Sequence, residues 1–217
     1  MRYYLKNNHS SHLIVFFSGW GCDENMFANL HDEADVLIVY DYSDWQLDFD
    51  FTEYETIDII AYSAGVFVAS VCSDRIPRTG KKIVVCGNPY LFDEDLGISG
   101  KNIRVFRSLN LDNYLSFRRE YMVETDEEYE RYNLMSSQRS FESCFAELDK
   151  LAEMYALRKG DIKDDFSCAL LADHDPIFIF AKQKDYYKNR FRVVTDARHH
   201  VFFRFSSFAE ILAYGTI

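Results

Sequence analysis

The sequence is short of basic residues and has no long hydrophobic run. Its 24 lysine and arginine residues stand against 35 aspartate and glutamate residues, which gives a formal net charge of −11 at pH 7. Nucleic acids and anionic membranes both require a positive protein surface, so we expect neither kind of partner. No apolar stretch approaches the roughly 20 residues that a membrane span needs. Residues 1–8 are polar and charged, unlike a signal peptide, so we expect a cytoplasmic protein.

The sequence also lacks the paired cysteine motifs of metal and redox sites. Its five cysteines are scattered, and no two have the Cys-x-x-Cys spacing. Most of them lie in apolar segments, which predicts reduced, buried thiols rather than disulfides. These cysteines are Cys22, Cys72, Cys86, Cys144 and Cys168.

The composition is that of a folded protein. The chain has 217 residues, of which 48% are hydrophobic and 17% aromatic, so we expect one domain, 1–217, with a substantial core. Short apolar runs alternate with helical patterns in the first half, which predicts a parallel sheet covered by helices on both faces. The predicted strands of this half are 13–17, 36–40, 57–61 and 83–86. A predicted helix, 64–75, is closed by residues 77–80.

The middle of the chain contains no strand pattern. Thr125 to Glu128 has the capping-box pattern of a helix start, and apolar residues recur at helical spacing from Phe141 to Tyr155. We therefore predict a helical insertion at about 109–165, placed as a cap over the site. Strands return at 166–172 and 191–195, and a final helix is predicted at 206–214.

The most informative motif surrounds Ser63. Residues 61–65 read Ala-Tyr-Ser-Ala-Gly and lie between a strand pattern and a helix pattern. A serine flanked by small residues at such a sharp turn is how the α/β-hydrolase fold exposes its nucleophile. Ala61 and Gly65 are the two small residues that the turn requires. The alternative interpretation is a tight turn with a helix-capping serine.

A second motif predicts an oxyanion hole. Residues 18–21 read Ser-Gly-Trp-Gly and directly follow the first apolar strand, where many α/β-hydrolases carry a backbone oxyanion donor. The predicted donors are the N–H groups of Trp20 and of Ala64, at the start of the helix after the serine. A glycine-rich turn is the alternative interpretation.

Candidates for the catalytic acid and base lie later in the chain. Asp175 follows a late strand, with Asp173 as the second choice and a structural Asx turn as the alternative interpretation. His199 precedes the final helix and forms a His-x-x-Phe pattern with Phe202, and His200 is the second choice. The order Ser63, Asp175, His199 is that of the α/β-hydrolases, so we predict a nucleophilic hydrolase. A metal site formed by residues 173–175 with the two histidines is the competing hypothesis.

The chain resembles the BioG-type pimeloyl-acyl-carrier-protein methyl ester esterases of biotin synthesis. The segments 18–21 and 40–42, Ser-Gly-Trp-Gly and Tyr-Asp-Tyr, are fairly specific to that group. The chain departs from the family at Ala64, where methionine is common, and at Tyr62, where tryptophan is common. The other matching segments are 11–17, 47–50, 61–66, 87–90, 97–98, 117–119 and 199–204.

The resemblance implies an activity and a partner. Ser63 attacks the methyl ester of pimeloyl-acyl carrier protein, His199 takes its proton, Asp175 orients His199, and Trp20 and Ala64 hold the oxyanion. Methanol leaves, water releases the acyl group from the serine, and no metal or organic cofactor takes part. The competing hypotheses are a general short-acyl esterase or thioesterase, and a hydrolase fold that only binds.

An acidic carrier protein requires a local basic patch on this acidic chain. The predicted insertion carries arginines that could form one, Arg118, Arg119, Arg131 and Arg139. Acidic residues are interleaved with these arginines, so a solvated helix face is the alternative interpretation.

Overall fold

A seven-stranded sheet forms the centre of the molecule. The computed structural model describes residues 1–216. The strands are ordered β1-β3-β2-β4-β5-β6-β7, and all neighbours are parallel except β1 and β3. The strand bounds are β1 Arg2–Lys6, β2 His12–Phe17, β3 Asp35–Tyr40, β4 Thr56–Tyr62, β5 Thr79–Val85, β6 Cys168–Ala172 and β7 Phe191–Val194.

Helices fill the segments between and after the strands. Four of them lie between β5 and β6, in residues 100–161, which we call the helical segment. The helix bounds are α1 Ala64–Cys72, α2 Gly100–Arg107, α3 Tyr114–Phe117, α4 Asp126–Leu134, α5 Phe141–Arg158, α6 Phe180–Tyr187 and α7 Phe208–Tyr214. A π-helical turn, Arg118–Met122, and 3-10 turns at Glu24–Phe27, Ser73–Arg75, Lys159–Asp161 and Val201–Arg204 complete the helices.

The central strands are buried on both faces. Every residue of β3 and of β6 is buried, as near-continuous apolar runs in a parallel sheet require. Parallel strands end at the same edge, and in open α/β sheets the crevice at that edge is where ligands bind. The sheet therefore brings the segments that follow β2, β4, β6 and β7 to one side of the molecule.

The sequence predicted most of these elements. The α/β-hydrolase fold and the interior strands are confirmed. The capping box of α4 is also present, because the Thr125 hydroxyl accepts a hydrogen bond from the Glu128 N–H and the Glu128 carboxylate accepts one from the Thr125 N–H. One prediction was wrong: Thr79 and Gly80 do not close a helix but begin β5, where Thr79 pairs with Ile57.

Two elements were missed. The edge strand β1 pairs antiparallel with β3 and is mostly exposed, so its sequence shows no buried run. Helix α2 begins at Gly100, before the predicted boundary at 109. That the chain is a single domain, and that the helical segment acts as a cap, stay predictions. Within residues 1–216, no helix combines the length and the apolar character that a membrane crossing demands.

Candidate active site

Ser63 lies at the sharp turn between β4 and α1. Its backbone is strained, with φ 53° and ψ −122°, a conformation that non-glycine residues rarely adopt. The turn is held by a hydrogen bond from the Ser63 N–H to the Val85 carbonyl, 3.1 Å. Gly65 meets the requirement for a small residue, because a Cβ there would lie 2.3 Å from the Phe17 carbonyl oxygen. The turn holds the hydroxyl beside the sheet edge, at the floor of a pocket.

His199 connects Ser63 to Asp175. Its Nε2 lies 2.9 Å from the Ser63 Oγ, and its Nδ1 lies 2.8 Å from the Asp175 Oδ2. The ring is buried and packs against Tyr62, with ring centroids 5.0 Å apart, and against Phe178 at 6.0 Å. A neutral imidazole with its proton on Nδ1 satisfies both bonds, donating to Asp175 and accepting from the serine hydroxyl.

Asp175 is fixed by the backbone that follows it. Its Oδ1 accepts the N–H groups of Ile177, at 2.8 Å, and Phe178, at 3.0 Å. These two bonds leave Oδ2 for His199. The sequence interpretation of an Asx turn at this position is therefore also correct, since the same carboxylate closes the turn and contacts the histidine.

The two second-choice residues, Asp173 and His200, are not part of this hydrogen-bond chain. Asp173 accepts the backbone N–H groups of Asp196 and Ala197, both at 3.2 Å, and so holds the loop after β7. His200 is buried among aromatic rings, and within residues 1–216 neither of its ring nitrogens has a hydrogen-bond partner. Burial lowers the pKa of His200 to about 3 and keeps the ring neutral.

Of the residues in the competing metal hypothesis, Asp175 and His199 contact each other, and the others point to different partners. The His174 Nδ1 faces the Glu124 carboxylate at 3.2 Å instead of its neighbours. Across residues 1–216, no group of three or more histidine, cysteine or acidic side chains is placed to hold a metal ion.

Trp20 and Ala64, the residues of the two predicted oxyanion donors, line the same pocket as Ser63. Trp20 follows β2, and Ala64 is the first residue of α1. In the described part of the chain, neither backbone N–H has a hydrogen-bond acceptor. Both groups are therefore available to a ligand oxygen, as the orphan N–H groups at a helix start are.

The pocket above Ser63 is apolar. Within residues 1–216, the pocket lining contains no acidic, lysine or arginine side chain, and His199 is its only histidine. Much of the wall comes from the helical segment, through Phe106, Leu109, Tyr114, Phe117, Met122, Tyr132, Phe141, Cys144, Leu148 and Leu151.

Two of the four arginines predicted to dock a carrier protein make most of their contacts inside the protein, and their docking role stays a prediction. The Arg118 guanidinium lies 4.2 Å from the Tyr114 ring centroid and 5.8 Å from that of Tyr132. The Arg139 side chain is only 3% exposed and pairs with Glu147 at 2.6 Å and with Asp41 at 3.1 Å.

Arg119 and Arg131 are partly exposed. Arg119 pairs with Asp126 at 2.9 Å, and its side chain is 39% exposed. Arg131 lies over the Phe203 ring at 4.4 Å. A docking role for these two stays a prediction.

The sequence interpretation missed the fully buried Glu147. A signal was present, because Glu147 shares the apolar stripe of α5 with Cys144, Leu148 and Leu151, at spacings of three and four residues. A carboxylate on such a stripe requires buried partners.

A sequence model of the family described as "Pimeloyl-ACP methyl esterase BioG" matches residues 1–211. The chain belongs to the BioG family. The crystal structure of BioG from Haemophilus influenzae is similar over 98% of this chain and 100% of its own, with a TM-score of 0.84 and 29% identity. A Haemophilus influenzae protein described only as uncharacterised is 31% identical over 204 residues, 92% of this chain and 94% of that protein.

A third relative is larger. The malonyl-[acyl-carrier protein] O-methyltransferase of Bacteroides fragilis is 33% identical over 149 residues, which are 66% of this chain and 30% of that protein. Solved esterases and hydrolases of other families share the fold, at 11 to 16% identity and TM-scores of 0.58 to 0.62. This member of the BioG family is a carboxylic ester hydrolase of biotin biosynthesis.

Proposed function

We propose that this protein hydrolyses the methyl ester of pimeloyl-acyl carrier protein through a Ser63–His199–Asp175 triad and an acyl-enzyme. The observation that carries the proposal is the hydrogen-bond chain from Ser63 through His199 to Asp175, at the floor of an apolar pocket. The family supports the same reaction.

In the first half of the reaction, the Ser63 Oγ attacks the ester carbonyl carbon while its proton passes to the His199 Nε2. Asp175 stabilises the resulting imidazolium. The carbonyl oxygen becomes an oxyanion and accepts hydrogen bonds from the N–H groups of Trp20 and Ala64. The tetrahedral intermediate then collapses, and methoxide leaves as methanol with the proton from His199.

In the second half, water replaces methanol. His199 takes a proton from the water as its oxygen attacks the acyl-enzyme carbonyl, and the same two N–H groups stabilise the new oxyanion. Collapse returns the proton to the Ser63 Oγ and releases a carboxylic acid, which ionises. The proposed reaction uses the three triad side chains, the two backbone N–H groups and water.

The pocket supports a neutral, apolar acyl chain. A methyl ester and the methylene groups behind it carry no charge, so an apolar wall binds them without an unpaired polar group. The ionised product finds no cation in the described pocket lining, and burying an unpaired carboxylate is costly. The pocket therefore favours the ester over the product, which assists product release.

The Bacteroides relative supports a carrier-bound methyl ester. That protein is named as an O-methyltransferase acting on malonyl-acyl carrier protein, and part of it is similar to this chain. A protein that joins the two would both form and hydrolyse methyl esters on a carrier.

The test compares two substrates with the purified protein. Pimeloyl-acyl carrier protein methyl ester and a nitrophenyl ester of similar acyl length are offered separately, and the products are followed by mass spectrometry and absorbance. We expect a higher kcat/KM for the carrier-bound ester. A preference for the nitrophenyl ester would instead favour a general short-acyl esterase.

A further inference from the structure

One buried carboxylate in the helical segment contacts two loops at the edge of the sheet. Glu147 of α5 has no exposed surface. Its Oε2 accepts the backbone N–H of Gly21 at 3.0 Å, and its Oε1 accepts the backbone N–H of Tyr42 at 3.1 Å. The first loop follows β2 and contains Trp20, and the second follows β3.

The two loops are also bonded to each other. The Tyr42 hydroxyl donates to the Ser18 carbonyl at 2.8 Å, in buried surroundings. Glu147 therefore holds the loop 18–22 directly at Gly21 and indirectly through Tyr42.

Arg139 pairs with this carboxylate. Its Nη1 lies 2.6 Å from the Glu147 Oε2, and its Nη2 lies 3.1 Å from the Asp41 Oδ1. Burial raises the pKa of Glu147, and the guanidinium and the two backbone N–H donors oppose that effect. A buried ion pair adds little net stability compared with well-packed apolar residues, so stability alone does not explain this pair.

The side chain of Trp20 is fixed by the helical segment as well. Its Nε1 donates to the Cys144 carbonyl of α5 at 2.5 Å, and its indole stacks on Phe106 of α2 with centroids 5.4 Å apart. With the Gly21 N–H bound to Glu147, both the indole and the following peptide group are held. The residue that carries the proposed oxyanion N–H is therefore held at its side chain and at the peptide group that follows it.

We propose that Glu147, paired with Arg139, is a positioning residue that aims the Trp20 N–H at the oxyanion. The inference rests on the proposed function, in which that N–H is an oxyanion donor. An oxyanion hole works because its donors are oriented before charge develops. Leu148 and Leu151 of the same helix line the acyl pocket, so α5 links the pocket wall to the oxyanion loop.

The test uses the variant Glu147→Gln. A carboxylate offers an acceptor oxygen to each loop, but an amide offers one oxygen and an NH₂ group, so either Gly21 or Tyr42 loses its partner. We expect kcat to fall about 10- to 100-fold, less than the roughly 10²- to 10³-fold cost of deleting a donor, with KM nearly unchanged. Phosphonylation of Ser63 by a fluorophosphonate should slow by a similar factor.

Asp35 provides a matched control. It is also a buried carboxylate, accepts the N–H groups of Asn8 and Ser10 at 2.8 and 3.0 Å and the Tyr54 hydroxyl at 2.9 Å, and lies at the opposite end of β3 from Tyr40. Asp35→Asn should lower Tm without changing kcat. If Glu147→Gln does not fold, the double variant Arg139→Gln with Glu147→Gln removes both charges and carries the same kinetic expectation.

The outcomes separate this inference from the proposed function. For each Glu147 variant, kcat is divided by the fraction of Ser63 that a fluorophosphonate can label. If this normalised kcat equals that of wild type in either variant, the positioning role is overturned, because a purely structural residue would change only Tm. Failure of the wild-type protein to hydrolyse esters or to label at Ser63 overturns the proposed function itself, whatever the Glu147 variants do.

Discussion

The edge of the sheet and the helical segment make different contributions to the site. Ser63, Asp175 and His199 follow β4, β6 and β7, and their positions are set by the parallel strands and by turns that tolerate few residue types. The helical segment supplies most of the apolar wall, where many side chains of similar size would serve. In the proposed mechanism, the sheet places the three triad residues and the helices line the part of the pocket that selects the ester, with Glu147 of α5 as the proposed link between the two.

The largest expected effect separates the two adjacent histidines. His199→Ala removes the proposed base and should lower kcat by about 10⁴-fold or more. His200→Phe replaces a neutral ring among aromatic rings and should leave kcat within about threefold. Steady-state kinetics of the two variants checks this, and a large loss in His200→Phe with retained activity in His199→Ala would reverse the assignment.

His200 also predicts an effect of pH on the stability of the protein. The pKa of His200 is about 3 in the folded protein and near 6.5 when unfolded. The unfolded chain therefore binds a proton that the folded chain does not, and stability falls as pH drops below 6.5. Between pH 7 and pH 5, wild type should lose about 2 kcal/mol more free energy of unfolding than His200→Phe, measured with urea. Equal losses would show that His200 is not held neutral.

The next effect separates the two aspartates beside β6. Asp175→Asn presents an amide to His199 and favours the wrong tautomer, which should lower kcat about 10³- to 10⁴-fold. Asp173→Asn affects only the loop bonds to residues 196 and 197 and should lower kcat less than tenfold. Kinetics at matched folded fractions, verified by circular dichroism, distinguishes them.

A smaller effect is expected in the helical segment. Leu109 lines the pocket and is 6% exposed, whereas Leu111 is 81% exposed. Leu109→Ala should lower kcat/KM for a pimeloyl ester about tenfold, as the loss of about 1.5 kcal/mol of apolar contact predicts, with a smaller loss for an acetyl ester. Leu111→Ala is the control and should match wild type on both esters.

The smallest effect concerns carrier docking. Changing Arg119 and Arg131 to glutamate should raise KM for the carrier-bound ester about three- to tenfold, because both side chains are partly exposed cations. This increase in KM should become smaller with added salt and should be absent for a nitrophenyl ester. If the variant and wild type have the same KM for the carrier-bound ester, these two arginines have no docking role.

The sequence predicted which residues the fold brings together at Ser63 better than it predicted their surroundings, for physical reasons. The turn at Ser63 restricts its neighbours to small residues, and the order of serine, aspartate and histidine along the chain is a property of the sequence itself. Both features can therefore be recognised without a structure. The contacts of Arg118 and Arg139 could not be predicted from the sequence, because only the folded chain brings Arg118 onto the rings of Tyr114 and Tyr132 and brings Arg139 to Asp41. The edge strand β1 was missed because its pairing with β3, rather than its own pattern, makes it a strand.

Covalent labelling tests the central claim most directly. Wild type, His199→Ala, His200→Phe and the buried-serine control Ser70→Ala are treated with a fluorophosphonate, and the labelled peptide is mapped by mass spectrometry. Ser63 should be the labelled residue in wild type, in His200→Phe and in Ser70→Ala, and labelling should be slowed by orders of magnitude in His199→Ala. Labelling at another residue, or equally fast labelling of Ser63 without His199, would contradict a nucleophile at Ser63 activated by His199.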